Sequence, residues 1–251
     1  YEYARNISLL GEEDWRITIS GECGLDWIHN SKFVSKEKIC NQFNISLNHQ
    51  NKLALFTYHP TSYGDINNLN NEIDILISIL KRYKNIDFII TGPGMELGSN
   101  KARKVFQELS KNIENIFYIE NLGRENYLSM MKYSDLVIGN SSSGICEAPS
   151  VGTPSINIGN RQEGRLRAKS TIDCRFDFTS ISNALENIFS NNFEDIIKKI
   201  ENPYDPFLDG KNSERIAKSC IFALKKIQKN KLLKKIFDQK LNPKLWNTLN
   251  Q

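Results

Sequence analysis

Asp135 to Gly164 reads DLVIGNSSSGICEAPSVGTPSINIGNRQEG, and this run holds residue types suited to gripping an anion beside a hydroxyl-bearing ligand. Gly139 to Gly144 (GNSSSG) offers backbone N–H groups and the hydroxyls of Ser141, Ser142 and Ser143 just ahead of a helical stretch, a combination that accommodates a phosphate. Glu147 falls one turn into that stretch. A carboxylate there repels a phosphate at close range but accepts hydrogen bonds from ribose hydroxyls, so the pattern points to a nucleotide rather than inorganic phosphate. Arg161 and Arg165 follow the apolar run Ser155 to Ile158, where a guanidinium supplies planar, paired donors at a strand end. His59 closes another apolar run, Leu53 to Tyr58, and Pro60 biases it toward extended backbone that carries the imidazole out of a sheet. With an ordinary pKa near ~6.5 it can donate to a pyrophosphate or protonate a leaving group. The glycines of GPGMELGS, Gly92 to Ser99, let backbone pass close to a ligand, but the spacing and the lack of a lysine exclude a Walker A loop.

Each of these residues has a plainer reading. Serines ahead of a helix are ordinary N-caps, Pro149 and Pro154 punctuate loops, and isolated arginines are usually solvated. A serine nucleophile is disfavoured, because no serine here has glycines two residues away on both sides and no histidine lies nearby in sequence. What favours a site is the placement of these features along the chain. Apolar runs recur at Leu53 to Tyr58, Ile86 to Thr91, Ile116 to Ile119, Leu136 to Ile138 and Ser155 to Ile158. Between them lie helical patterns at roughly Asn68 to Tyr83, Ala102 to Lys111, Glu125 to Lys132 and Ile145 to Val151. This βαβα alternation predicts an α/β fold, a Rossmann-like doubly wound parallel sheet. In such a sheet a ligand lies across the carboxyl ends of the strands, where His59, the Gly92 to Gly98 loop, Leu122 to Tyr127, the serine turn and Arg161 all fall.

At 251 residues, with 39% hydrophobic and 25% charged residues, the chain has material for one large or two small domains. No apolar run approaches the ~18 residues of a membrane span and no signal-peptide pattern opens the chain, so a cytoplasmic protein without membrane partners is expected. Cys23, Cys40, Cys146, Cys174 and Cys220 are scattered with no C-x-x-C pair, which argues against a zinc site and a disulfide framework. No metal or other cofactor is expected. The net charge of +4 is concentrated in Lys225, Lys226, Lys229, Lys231, Lys234, Lys235 and Lys240, interleaved with Ile221, Leu224, Leu232, Leu233, Ile236 and Phe237. That spacing fits an amphipathic helix with a solvated lysine face rather than a nucleic-acid-binding surface.

Four separated motifs carry a family resemblance: YHP at Tyr58 to Pro60, GNSSSG followed by EAP, GTPSINIGNRQEGR at Gly152 to Arg165, and NPYDPFLDGKNSERI at Asn202 to Ile216. Together they resemble the hydrolysing UDP-N-acetylglucosamine 2-epimerases of sialic-acid and related nonulosonate synthesis. The resemblance implies the C-terminal half of a GT-B-like pair of Rossmann-like domains with a UDP-sugar in the cleft. It implies conversion of UDP-N-acetylglucosamine and water into N-acetylmannosamine and UDP through a glycal intermediate, and a homo-oligomer for the intact enzyme. It places His59 near the diphosphate as the candidate catalytic residue, Ser141, Ser142 and Gly144 in the pyrophosphate turn, Glu147 on the ribose and Arg161 on the UDP side. Gly94 stands where the family usually carries a nucleotide-contacting asparagine. The chain opens at Tyr1, and GEEDWRITISGECGLD at Gly11 to Asp26 resembles the end of the family's N-terminal domain, so the catalytic carboxylates are expected outside this sequence. The organisation expected is residues 1–29 as the end of that domain, 30–206 as the nucleotide-binding domain and 207–251 as an amphipathic helical segment, with residues 1–26 and the C-terminal helix exposing apolar faces. A GT-B glycosyltransferase domain and a non-catalytic UDP-sugar-binding module are the alternatives.

Overall fold

The structure of the protein is a computed structural model that describes residues 1–61, 66–190, 193, 196 and 200–227. The chain divides into two compact units, one formed by Gly24–Gly210 and one by Tyr1–Cys23 with Lys211–Gln251.

The larger unit is built on a six-stranded sheet with all neighbours parallel: β1 (Lys52–Thr57), β2 (Ile86–Thr91), β3 (Ile116–Ile119), β4 (Leu136–Gly139), β5 (Ser155–Ile158) and β6 (Thr171–Cys174), in the order β3-β2-β1-β4-β5-β6. This is the doubly wound order, and its direction reverses between β1 and β4. The buried runs LALFT and IDFIIT are largely apolar on both faces because both faces are covered, with Thr57, Asp87 and Thr91 as their buried polar residues. Alternate residues divide the core in two. Ala54, Phe56, Phe88, Ile90, Ile138 and Ile156 pack on one side with residues of α4 (Ile66–Arg82), α5 (Ser99–Asn112) and α9 (Phe178–Ile188). Leu53, Leu55, Ile89 and Val137 pack on the other with α2 (Asp26–Asn30), α3 (Lys36–Phe43) and α6 (Arg124–Tyr133).

Three sequence expectations are adjusted. β1 stops at Thr57, so Tyr58 and His59 begin the loop. The single helix expected over Ile145 to Val151 is two short pieces, α7 (Ser143–Cys146) and α8 (Ala148–Val151), meeting at Glu147. Pro149 causes the break, since it has no N–H to reach the carbonyl of Ile145. Gly144 therefore lies inside α7 rather than in the turn. Strand β6 and helix α9, capped by Asp177 accepting from the Ser180 backbone N–H at 2.7 Å, were not expected.

In the smaller unit, α1 (Glu2–Leu9) and α10 (Asn212–Ile227) leave Ile7, Leu9, Ile216, Ile221, Phe222 and Leu224 exposed. Trp15 meets the Phe222 ring edge-on at 6.4 Å. The lysines from Lys229 to Lys240 and their apolar neighbours lie outside the described residues. Among the described residues no helix is long and apolar enough to cross a membrane.

Candidate functional site

The reversal point of the sheet is held by Asn140, one residue beyond β4. Its side chain accepts from the His59 backbone N–H at 2.7 Å and donates to the His59 carbonyl at 2.7 Å, so the loop after β1 is clamped to the loop after β4 at two points. Its own carbonyl accepts from Arg161 at 3.2 Å and from the Gln162 side chain at 2.9 Å, which adds the loop after β5. Gly139 makes this approach possible. Its φ is +137°, and a Cβ there would stand 2.0 Å from the Thr57 carbonyl oxygen, so no other residue fits.

Around this clamp the structure gathers His59, Gly94 and Arg161. The Gly94 N–H donates to His59 Nδ1 at 3.2 Å, and a carboxylate oxygen of Glu96 lies 3.3 Å from both His59 Nδ1 and the Arg161 guanidinium. Burial lowers the His59 pKa, the Arg161 charge lowers it further, and Glu96 opposes both. The imidazole is therefore neutral at pH 7, with Nδ1 accepting from Gly94 and the proton on Nε2. Arg161 then carries most of the attraction for Glu96. Burial raises the Glu96 carboxyl, but its backbone hydrogen bond, His59 and Arg161 together leave it below the usual carboxylate range.

The serine turn is organised by hydroxyls. Ser141 Oγ accepts from the Ser143 backbone N–H at 3.3 Å and from Ser143 Oγ at 3.0 Å. Ser143 Oγ lies 2.6 Å from the Tyr127 hydroxyl, which is 3.2 Å from Thr57 Oγ1, itself 2.7 Å from Thr91 Oγ1. These hydroxyls form a chain along the carboxyl ends of β2, β1 and β4. When it runs Thr91 to Thr57 to Tyr127 to Ser143 to Ser141, the Ser141 proton is the one left to donate outward. Ser142 is half-buried and makes no side-chain cap of α7. Gly144 is buried, and a Cβ there would make ordinary contact with Ser155 at 3.5 Å, so its bare face is turned to the sheet.

Glu147 is half-buried at the junction of α7 and α8. That junction is braced from afar: the Asn202 side chain donates to the Cys146 carbonyl at 2.7 Å and to Ser150 Oγ at 2.7 Å, which satisfies a carbonyl released by the helix break. Asp205, fully buried, pairs with His29 at 2.5 Å and accepts from Ser150 at 3.4 Å. The NPYDP segment thus acts on the site through α7 and α8. Arg165 is not with Arg161, for its guanidinium points at the Cys146 sulfur at 3.7 Å. Arg167 pins the same loop, pairing with Asp173 at 3.0 Å and donating to the Gln162 carbonyl at 2.9 Å.

An opening of about 510 Å³ lined in part by Asn140, Arg161, Asp173 and Phe176 adjoins the clamp. A larger one, about 760 Å³, lies at the amino ends of the strands beside Asp87. There the Asp87 carboxylate is already engaged by the Asn48 backbone N–H and the Asn51 amide, each at 2.7 Å, so the carboxyl edge is the chemically open one. Among the described residues no cluster of three or more His, Cys, Asp or Glu could hold a metal ion. Asn140, Glu96 and Gln162 are the participants that reading the sequence did not single out. Asn140 and Gln162 stand inside quoted motifs, whereas Glu96 lies in a glycine loop where only spatial proximity reveals it.

The sequence profile described as UDP-N-acetylglucosamine 2-epimerase matches residues 1–221. A GDP/UDP-N,N'-diacetylbacillosamine 2-epimerase (hydrolyzing) of Campylobacter jejuni is 35% identical over 193 residues, covering 76% of this chain and 49% of its own length. The polysialic acid biosynthesis protein P7 of Escherichia coli is 29% identical over 238 residues, covering 94% of this chain and 58% of its own. The chain thus spans about half the length of the curated relatives it matches. In fold it is similar to the S. aureus MnaA–UDP co-structure, with TM-score 0.67 at 18% identity over 93% of this chain and 59% of that one. It is also similar to the UDP-GlcNAc 2-epimerase of Neisseria meningitidis bound to UDP-GlcNAc, with TM-score 0.60 at 17% identity over 88% and 59%. The six-stranded parallel sheet is the counterpart of half of these GT-B-like structures. With its profile matched over residues 1–221, the chain belongs to the UDP-N-acetylglucosamine 2-epimerase family.

Proposed function

We propose that this chain is the nucleotide-holding half of a hydrolysing UDP-sugar 2-epimerase, one that turns a UDP-linked 2-acetamido sugar such as UDP-N-acetylglucosamine, with water, into the 2-epimeric free sugar and UDP. One observation carries the reading: His59 and Arg161, from the loops after β1 and β5, converge on a single carboxylate oxygen at 3.3 Å, at the reversal point of the sheet and next to the serine turn. A guanidinium that already holds one anionic oxygen is suited to hold a phosphate oxygen in its place, with the imidazole beside it.

In this reading Ser141 donates to the α-phosphate, Ser142 completes its turn, and Gly144 follows in the first turn of α7. Arg161 and the Nε2–H of His59 take the terminal phosphate, Gly94 sets the imidazole tautomer, and Glu147 accepts from the ribose. Charge builds on the bridging oxygen as the sugar–oxygen bond breaks, and Arg161 stabilises it more in the transition state than in the ground state. Removal of the C2 proton and addition of water need carboxylates from the other half of the enzyme, by family resemblance.

The test is phosphorus NMR of the purified chain with UDP, UDP-N-acetylglucosamine and its 2,4-diacetamido relative. Shifted diphosphate signals, lost in Arg161→Ala, are the expected result. Signals unmoved by any of the three would overturn the assignment, and release of free UDP would show that this chain supplies its own acid and base.

A further inference from the structure

Glu96 occupies the place that the proposed function gives to a phosphate. Its carboxylate oxygen lies 3.3 Å from His59 Nδ1 and 3.3 Å from the Arg161 guanidinium, and its second oxygen accepts from Ser99 Oγ at 3.4 Å. The loop that carries it is hydrogen-bonded at its ends and exposes its apolar side chains at its tip. The Gly92 N–H donates to the Ile119 carbonyl at 3.0 Å, Arg103 donates to the Pro93 carbonyl at 3.2 Å, and the Ser99 N–H donates to the Glu96 carbonyl at 3.0 Å. Met95 and Leu97, on either side of Glu96, are fully or largely exposed. Withdrawing the Glu96 side chain therefore sacrifices no apolar packing, and the one partially exposed ion pair it gives up, with Arg161, is weak.

We propose that Glu96 is a specificity-determining residue, an internal anion that competes with the terminal phosphate of a nucleotide diphosphate for Arg161. The inference rests on the functional reading above. A nucleoside monophosphate whose phosphate sits on the serine turn leaves Glu96 in place, whereas a diphosphate must displace it. Glu96 thus lowers the affinity for diphosphates selectively and hastens the departure of UDP once the sugar has left. It also keeps the Arg161 guanidinium paired when no phosphate is bound. A surface carboxylate would be expected to turn outward to Lys or water. This one is turned inward onto the only guanidinium that reaches the Asn140 clamp among the described residues.

The experiment is calorimetric titration of the full chain and its Glu96→Gln variant with uridine, UMP and UDP, alongside Arg161→Ala, with thermal unfolding as a check on folding. Glutamine keeps the length and the hydrogen-bonding oxygen but removes the charge. Glu96→Gln is expected to bind UDP about twofold to fivefold more tightly, with UMP and uridine unchanged, from one partially exposed ion pair no longer opposing the ligand. The gain should shrink as salt is raised. UDP affinity that is unchanged or weaker in Glu96→Gln, or a gain shared equally by all ligands, would overturn the inference. If Arg161→Ala still weakens UDP in that case, the functional reading stands without it. If Arg161→Ala leaves UDP affinity unaltered, both fall together.

Discussion

Replacing Tyr127 by phenylalanine tests whether the hydroxyl chain acts on the ligand or only on the fold. The ring stays and one oxygen is removed, so packing is conserved. The lost contacts are the 2.6 Å hydrogen bond to Ser143 and the long 3.2 Å contact to Thr57. Neither partner is orphaned, because Thr57 keeps Thr91 at 2.7 Å and Ser143 keeps Ser141 at 3.0 Å. The net cost is therefore that of one good hydrogen bond, about 1 kcal/mol, and a Tm lower by about 2–4 °C. The functional cost is separate. Burial holds the Tyr127 phenol above its usual pKa, so it remains a donor at all working pH values. While it donates to Ser143, the Ser143 proton is directed to Ser141 and the Ser141 proton faces outward. Without it, Ser143 can accept from Ser141, and the outward donor is drawn in. UDP affinity should fall about threefold to tenfold, the worth of part of one hydrogen bond to a charged group, while uridine affinity stays the same. Thermal unfolding and titration with both ligands decide it. UDP affinity within twofold of the parent, with the small loss of Tm present, would refute a role for the chain in binding.

The other tests concern the scaffold of the site and one buried acid. Gly139→Ala puts a Cβ against the Thr57 carbonyl in backbone that side chains avoid, and should destabilise by about 3 kcal/mol or more in urea unfolding. Asn202→Ala deprives the Cys146 carbonyl and Ser150 of their donor, and should cost about 1–3 kcal/mol by the same measurement. Glu72, half-buried, is held above its usual value by burial, with the 2.5 Å hydrogen bond from Tyr58 opposing in part. The folded chain thus keeps a proton that the unfolded chain releases. Stability falls as pH rises from the unfolded value through the folded one and stays lower above it. Glu72→Gln should remove that fall and be the more stable form at pH 7. A stability curve from pH 4 to 7 that is parallel in the two proteins would exclude it.

How much of this was legible in the sequence follows from how each element is held. The interior strands were legible because two-sided burial leaves no choice of residue: Ile86 to Thr91 and Ser155 to Ile158 were expected with the bounds they have. Strand β6, Thr-Ile-Asp-Cys, has one neighbour and partial exposure, so no apolar run announces it. The break at Glu147 is written in Pro149, but the apolar pattern on either side of it is that of one continuous helix. The brace that makes the break tolerable comes from Asn202, 56 residues away from Cys146, and no local rule reports such a bond.

The site divides the same way, and the division explains why its chemistry is only half visible in one dimension. His59 and Arg161 stand at strand ends, and in a doubly wound sheet a position along the chain is also a position in space, so their meeting was expected. Glu96 meets Arg161 across 65 residues, from a glycine loop whose sequence says only that the backbone is permissive. A carboxylate in such a loop carries no mark of whether it faces water or a guanidinium. What settles it is the Asn140 clamp, which draws the loops after β1, β4 and β5 onto one point and leaves Arg161 to face the loop after β2. The groups proposed to bind the ligand are thus legible from topology, while the carboxylate proposed to oppose it is legible only from the fold. A site whose affinity is set by both kinds of group will be overestimated by any reading that sees the first kind alone.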